Sequence, residues 1–334
     1  MFETLKKTFG VSRRGAPLGR EPQNRSQRKA APKGAGSALF DDDFQRKLET
    51  LALVSRRVFA GRMRAERRSK KKGSGVEFAD HRAYAPGDDF RFVDWNIYRR
   101  FGRLLVRLYE EEEDLSIYLI VDCSASMGFG SPSKFDQARR LCAALAYVGL
   151  ANLDRVSVIG TSDHVGSRMP ATRGKNRIFK VLSYLEQLEP SGVTDLNASL
   201  KTFVAQNKRR GLAILLSDLY DPAGFEHGIN VLRYNKFEPY VLHLVEPAAA
   251  FAGQLAGQGG ILGDVNVYDC ETGEEREVTV TEQVLRDIQK AHGEYAAAIQ
   301  LFCTRSHVPY FAAPADVPFD ELVLTVLRRG GVLY

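Results

Sequence analysis

The chain lacks any continuous apolar stretch of about 18 residues or more, which excludes a transmembrane helix as the reading of any segment. Met1 to Phe9 has no long apolar core of the kind a secretory signal needs, so a cytoplasmic protein is expected. Cysteine is sparse. Cys123, Cys142, Cys270 and Cys303 are scattered without a CxxC pair, which argues for reduced thiols rather than a disulfide framework. Six histidines show neither HExxH nor HxH spacing, so a zinc site is not expected. No Gly-x-x-x-x-Gly-Lys-Ser/Thr loop occurs, and the chain is not itself a P-loop ATPase.

What is present is enough apolar material for a sizeable core, 44% of 334 residues, and an uneven distribution of charge. Residues 1–72 carry 20 Lys+Arg against 7 Asp+Glu, net +13, and the remainder 27 against 34, net −7. A basic arm on an acidic body follows, and the overall charge of +6 does not by itself make the folded part a nucleic-acid binder. Residues 1–38 have almost no periodic apolar positions after Phe9 and read as a disordered basic tail. Residues 39–72 read as a helix begun by Asp41-Asp42-Asp43 and followed by a basic connector, Arg62 to Lys72. No aromatics interleave with that run as base-stacking platforms would.

Residues 73–114 form a dense, charge-alternating segment. Pro86-Gly87-Asp88 is a turn by its chemistry. Asp88, Asp89 and Asp94 lie among Arg82, Arg91, Arg99 and Arg100, which predicts a loop locked by Arg–carboxylate pairs around a buried Trp95. Leu104 to Leu108 predicts a strand closed by the acidic run Glu110 to Asp114. From there the pattern alternates strand and helix in α/β fashion. Helices are predicted over 135–150, 178–188, 198–205, 224–233, 281–303 and 319–329. Strands are predicted at Leu115 to Asp122, Arg155 to Gly160, Leu212 to Asp218, Tyr240 to Val245 and Pro309 to Ala312. Residues 247–280 interrupt the alternation as an inserted hairpin.

The chemistry gathers at Leu115 to Met127. A buried apolar strand stops at Asp122 and is followed by Ser124 and Ser126, and α/β sheets hold ligands where strands end. Three oxygen ligands in one loop suit a hard divalent cation. One Asp-x-Ser-x-Ser alone is weak. Thr194, in a loop entering a helix, and Asp218, ending a second apolar strand, strengthen it if the two strands are neighbours.

In order and spacing, Asp122-x-Ser124-x-Ser126, Thr194 and Asp218 resemble the metal-ion-dependent adhesion site of von Willebrand factor A-type domains. Gly87-Asp88-Asp89-Phe-Arg91-Phe-Val-Asp94-Trp95, the acidic run and Asp269-Cys-Glu271-Thr272-Gly273 narrow the resemblance. They are similar to a bacterial family of von Willebrand A-like proteins catalogued as domain of unknown function 58, over roughly residues 40–330. The resemblance implies a doubly wound, Rossmann-type α/β sheet spanning 73–334, with the 73–114 β extension and the 247–280 hairpin attached. It implies that Ser124 and Ser126 ligate Mg²⁺ (or Mn²⁺ or Ca²⁺) directly, that Thr194 joins them in a ligand-bound state, and that Asp122 and Asp218 act directly or through water. A partner's Asp or Glu would complete the set. Relatives commonly occur with MoxR-type AAA+ ATPases, which implies an adaptor or co-chaperone.

A non-enzymatic, cation-dependent protein-binding module is therefore expected. No Lys or His lies in either metal-loop segment to serve as a base. Two alternatives come from other classes. One is a metal-dependent phosphoester hydrolase. The other is a nucleic-acid or anionic-membrane binder acting through the basic arm, whose affinity would fall steeply with salt.

Overall fold

Seven consecutive residues, Ser116–Asp122, are buried, and their side chains divide between two separate cores. Ile117, Leu119 and Val121 join one apolar cluster, Tyr118 and Ile120 the other. A strand whose alternate side chains meet apolar layers above and below lies inside a sheet covered on both faces. It does so in the computed structural model, which describes residues 9–13, 39–59, 68–69, 77–112, 115–128, 132–162, 165–246, 263–269 and 271–329.

In chain order the described strands are β1 (Phe9–Arg13), β2 (Arg68–Ser69), β3 (Glu77–Ala83), β4 (Leu105–Glu112), β5 (Ser116–Asp122), β6 (Arg155–Thr161), β7 (Val165–Thr172), β8 (Leu212–Ser217), β9 (Glu238–Val245), β10 (Gly263–Asp269), β11 (Glu275–Val280) and β12 (Tyr310–Pro314). The helices are α1 (Asp42–Phe59), α2 (Trp95–Phe101), α3 (Lys134–Ala151), α4 (Ile178–Gln187), α5 (Leu196–Gln206), α6 (Glu226–Tyr234), α7 (Glu282–Arg305) and α8 (Phe319–Arg329).

The main sheet has the order β12-β9-β8-β5-β6-β7. Its pairings are parallel except for β7, which runs antiparallel to β6 at the edge. From β5 the chain builds outward through β6 to β7, then returns to lay β8 on the other side of β5. The strand order thus reverses between β5 and β8. Such a reversal makes a crevice at the strands' carboxyl ends the expected place for a ligand in open α/β sheets. Leu48, Leu141, Val181 and Val323 carry α1, α3, α4 and α8 onto one face, and Leu200, Ile229 and Ile299 carry α5, α6 and α7 onto the other.

The β5–β8 pair requires close backbone approach. A Cβ on Gly211, just ahead of β8, would stand 2.1 Å from the Ser116 carbonyl oxygen, so this position admits no side chain without moving a strand.

Two three-stranded sheets accompany the main one, β2-β4-β3 and β1-β10-β11. The second corrects the expectation for the amino-terminal tail: Phe9–Arg13 pair antiparallel with β10, and the rest of residues 1–38 lies outside the described residues. Glu110 to Glu112 of the acidic run do not close β4 but belong to it, with Glu110 opposite Glu77 and Glu112 opposite Arg68; residues 113 and 114 lie outside the described residues. The edge strand β7 is absent from the sequence reading because only Met169 of its eight residues is buried, leaving no alternation to detect.

The charged segment before β4 is locked by ion pairs, Arg82–Asp88 at 2.7 Å and Arg91–Asp89 at 2.6 Å. It also contains an unanticipated helix, α2. Asp94 caps that helix by accepting from the backbone N–H groups of Asn96 and Ile97, and it also accepts from Arg107 at 2.9 Å. These charged contacts hold its carboxyl well below the usual range, Arg107 contributing most. Trp95, expected inside, is 52% exposed. The anchor of this segment is the buried carboxylate of Asp94, not the indole. No helix among the described residues is long and apolar enough to cross a membrane.

Candidate functional site

Asp122 is the last residue of β5, and its two oxygens brace the loop that follows. Oδ1 accepts from the Ser124 N–H at 2.9 Å, and Oδ2 accepts from the Ser217 hydroxyl of β8 at 2.5 Å. The chain then makes a short 3₁₀ turn over Ala125–Gly128, fastened by the Ala125 N–H donating to Gly192 O at 3.1 Å. Within that turn Ser124 Oγ lies 3.0 Å from Ser126 Oγ, and Ser126 Oγ donates to Asp218 Oδ2 at 3.0 Å. Asp122, Ser124 and Asp218 have no solvent exposure, and Ser126 has 1%. Four residues singled out in the sequence thus form one buried hydrogen-bonded chain across β5 and β8.

Thr194 reaches the same crevice from the loop before α5 but is engaged differently. Its hydroxyl donates to Glu271 Oε1 at 2.7 Å and its N–H to Glu271 Oε2 at 3.1 Å. Glu271 comes from the turn between β10 and β11. Burial raises its pKa, while hydrogen bonds from Thr194 and Ser126 favour the ionised form.

A second unanticipated residue enters from α3. The Lys134 ammonium, 2% exposed at its side chain, donates to Asp218 Oδ2 at 2.5 Å. It lies 5.2 Å from the centre of the Tyr220 ring. Tyr220 stacks on Tyr295 at 5.4 Å and its hydroxyl is bonded to His292 Nδ1 at 2.8 Å, so the amine is roofed by aromatic rings. Lys134 does not stand in either motif loop, and its sequence neighbours give no hint of the crevice. One signal existed. A cation in the first turn of a helix opposes the helix dipole, and such a misfit asks for a specific anionic partner. Glu271 was visible only within the Asp269-Cys-Glu271-Thr272-Gly273 segment of the family resemblance, with no ligand role attached to it.

Electrostatics follow from burial. Asp122 is pushed up, first by loss of solvent and then by the negative charge of Asp218, with Ser217 and Ser124 pulling the other way. Lys134 supplies the compensating charge to Asp218 that an isolated buried pair of acids would lack. His243 of β9 is fully enclosed, and burial takes its pKa down to about 4. Its Nδ1 is bonded to the Tyr310 hydroxyl at 2.8 Å.

The donor set can be compared with what a hard cation requires. Octahedral Mg²⁺ with bonds of about 2.1 Å has neighbouring oxygens about 3 Å apart. The Ser124–Ser126 and Ser126–Asp218 oxygen separations are both 3.0 Å, so each of these two pairs has the spacing of neighbouring ligands. No group of three or more His, Cys, Asp or Glu suited to a metal occurs among the described residues. The centre is instead hydroxyl-rich, and Lys134 already holds the Asp218 oxygen that a cation would use.

The family model described as "Protein of unknown function DUF58" matches residues 80–297. An uncharacterized protein of Mycobacterium tuberculosis is 25% identical over 293 residues, covering 86% of this chain and 90% of its own. Another, of Mycobacterium avium, is 25% identical over 172 residues, covering 50% of this chain and 97% of its own. Among solved structures, the conserved hypothetical protein BatB from Bacteroides thetaiotaomicron superposes with a TM-score of 0.41 at 14% identity, covering 65% of this chain and 98% of its own. An aerotolerance-related membrane protein from Bacteroides fragilis gives 0.40 at 13% identity, covering 66% and 100%.

Proposed function

This chain belongs to the DUF58 family, and from that premise we propose that it is a divalent-cation-dependent protein-binding module that captures a carboxylate of its partner. The observation that carries the reading is the meeting of Ser124, Ser126 and Asp218 oxygens at 3.0 Å spacings in the β5–β8 crevice, with Thr194 beside them already holding a carboxylate. In this reading Ser124, Ser126 and Asp218 hold Mg²⁺ (or Mn²⁺ or Ca²⁺), Asp122 fixes the loop through the Ser124 N–H and Ser217, and Thr194 orients the incoming acid. The cation supplies an electrophilic centre for that acid. Neutral hydroxyls leave most of its charge uncompensated, whereas a ring of carboxylates would quench it.

Capture is favoured over turnover by the state of the amine. Lys134 is committed to Asp218 and roofed by Tyr220, so it is not poised to act as a base on a bound substrate. The partner we propose is a MoxR-type AAA+ ATPase, with this chain as its adaptor or co-chaperone. That part rests on the resemblance to von Willebrand A-like relatives alone.

The test is a thermal melt of the full chain in chelator, Mg²⁺ and Mn²⁺, alongside Ser124→Ala and Thr194→Ala. Saturation at about 100 times the dissociation constant adds roughly 2.7 kcal/mol. A rise of about 4 °C in the wild type, lost in Ser124→Ala, is expected. A wild-type melting temperature indifferent to every divalent ion would overturn the cation-dependent mechanism.

A further inference from the structure

The turn between β10 and β11 is constructed to aim one side chain. Asp269, buried at 3% exposure, accepts from the N–H of Glu271 at 2.9 Å and of Thr272 at 3.3 Å. Gly273, at φ +71°, closes the turn with its N–H donating to Asp269 O at 2.8 Å. A residue with a Cβ is strained at that φ. The result is a carboxylate delivered end-on to Thr194, where it takes one hydrogen bond from the hydroxyl and one from the backbone N–H. Paired donors of this kind suit the two oxygens of a carboxylate.

Glu275 to Thr279 of β11 are exposed, and only Val280 at its end is buried. Few apolar contacts along β11 oppose its removal, and segments with little buried apolar surface open at low free-energy cost. Glu271 itself is most of the way into the protein, in contact with the centre's hydroxyls, and loses solvent to be there. An acid placed against these hydroxyls from a turn followed by the exposed β11 is doing what an acid from another chain would do.

We propose that Glu271 is an internal ligand of this centre, and that a partner binds by presenting a carboxylate on a similar turn and displacing the β10–β11 turn from Thr194. The inference rests on the carboxylate-capture reading above and adds to it the partner's chemistry and a brake. The Thr194 hydroxyl and N–H serve one carboxylate at a time, so the free chain is self-occupied. A competing acid meets only the fraction of molecules in which the hairpin has lifted, and its apparent affinity is reduced by that fraction.

The experiment uses the full chain and a labelled synthetic peptide copying residues 266–277 with Cys270→Ser, followed by fluorescence anisotropy in Mg²⁺. Wild type, Glu271→Ala, Glu271→Gln and the double variant Glu271→Ala/Thr194→Ala are compared. The peptide is expected to bind Glu271→Ala at least about tenfold more tightly than wild type. The Thr194→Ala change should abolish the gain, and a peptide with its own Glu271→Gln should not bind. Glu271→Gln in the protein, which keeps the side chain's size, provides the same comparison should the alanine variant fold poorly. Equal binding to wild type and to both single variants overturns the internal-ligand proposal while leaving carboxylate capture standing. Binding to none of them overturns both, because a vacated Thr194 site that takes no acid is not a carboxylate site.

Discussion

Replacing Lys134 by Met tests the charge balance of the centre most directly. The substitution keeps an unbranched side chain of similar length and removes the ammonium. In the wild type that ammonium donates to Asp218 Oδ2 at 2.5 Å with both partners out of solvent. Breaking a buried pair by deleting one partner costs about 3–5 kcal/mol, because the remaining charge is left uncompensated. Asp122 lies in the same centre and is already destabilised in its charged form by Asp218, which puts the cost toward the upper end. At roughly 1.4 °C per kcal/mol for a chain of this size, the variant should melt about 4–7 °C below wild type in chelator. Magnesium should then recover a larger share of the loss than it adds to the wild type. With the amine gone, a divalent ion no longer competes for the Asp218 oxygen and is the only available counter-charge. The assay is a pair of melting curves, with and without Mg²⁺, for each protein. A variant that melts within about 1 °C of wild type in chelator would refute the energetic role given to the ion pair. Equal Mg²⁺ shifts in both proteins would refute competition between lysine and cation.

Two further outcomes are expected. His243 has its folded pKa lowered to about 4 by burial, so its contribution to stability is complete above the unfolded value of about 6.5 and is lost as pH falls toward 4. Between pH 7.5 and 5 this removes about 2 kcal/mol. Asp122, with its pKa raised, works in the opposite direction, so the measurement is the difference in melting temperature between wild type and His243→Gln, which should shrink by about 3 °C over that range; parallel curves would count against it. Gly211→Ala places a methyl group where a Cβ meets the Ser116 carbonyl oxygen at 2.1 Å. Because the obstacle is backbone, the strands must part, and a loss of about 3 kcal/mol or more is expected in denaturant titration; a midpoint unchanged from wild type would show that β5 and β8 tolerate the separation.

The central architecture was legible because burial on both faces leaves a plain signature. β5 and β8 are nearly uninterrupted apolar runs that end in acids, and α3, α4 and α8 show apolar positions at helical spacing. Asp122, Ser124, Ser126 and Asp218 could be placed together because strand ends on a parallel sheet share one edge. Lys134 and Glu271 could not. Their roles depend on which way a helix's first residue and a hairpin's turn face after the sheet has assembled, and neither has a periodic pattern to announce it. Trp95 misled for the opposite reason. Its bulk suggested a core position, but Asp94 next to it makes the helix cap and the Arg107 contact that organise the segment. β7 went undetected because an edge strand with one buried residue satisfies its backbone without needing an apolar face.

The strand-order reversal has a consequence for how the molecule comes into being. β6 can dock on β5 once the intervening α3 has been made, but β8 must return from much further along the chain to claim the other side. The hydrogen bond from Ser217 to Asp122 spans 95 positions, and that from Ser126 to Asp218 spans 92. Loops of that length close slowly, and contacts across them are gained late. Synthesis imposes a further delay, since Glu271 emerges well after every hydroxyl of the crevice. Of the two residues joined at Thr194, the acid is made last, 77 positions further along the chain.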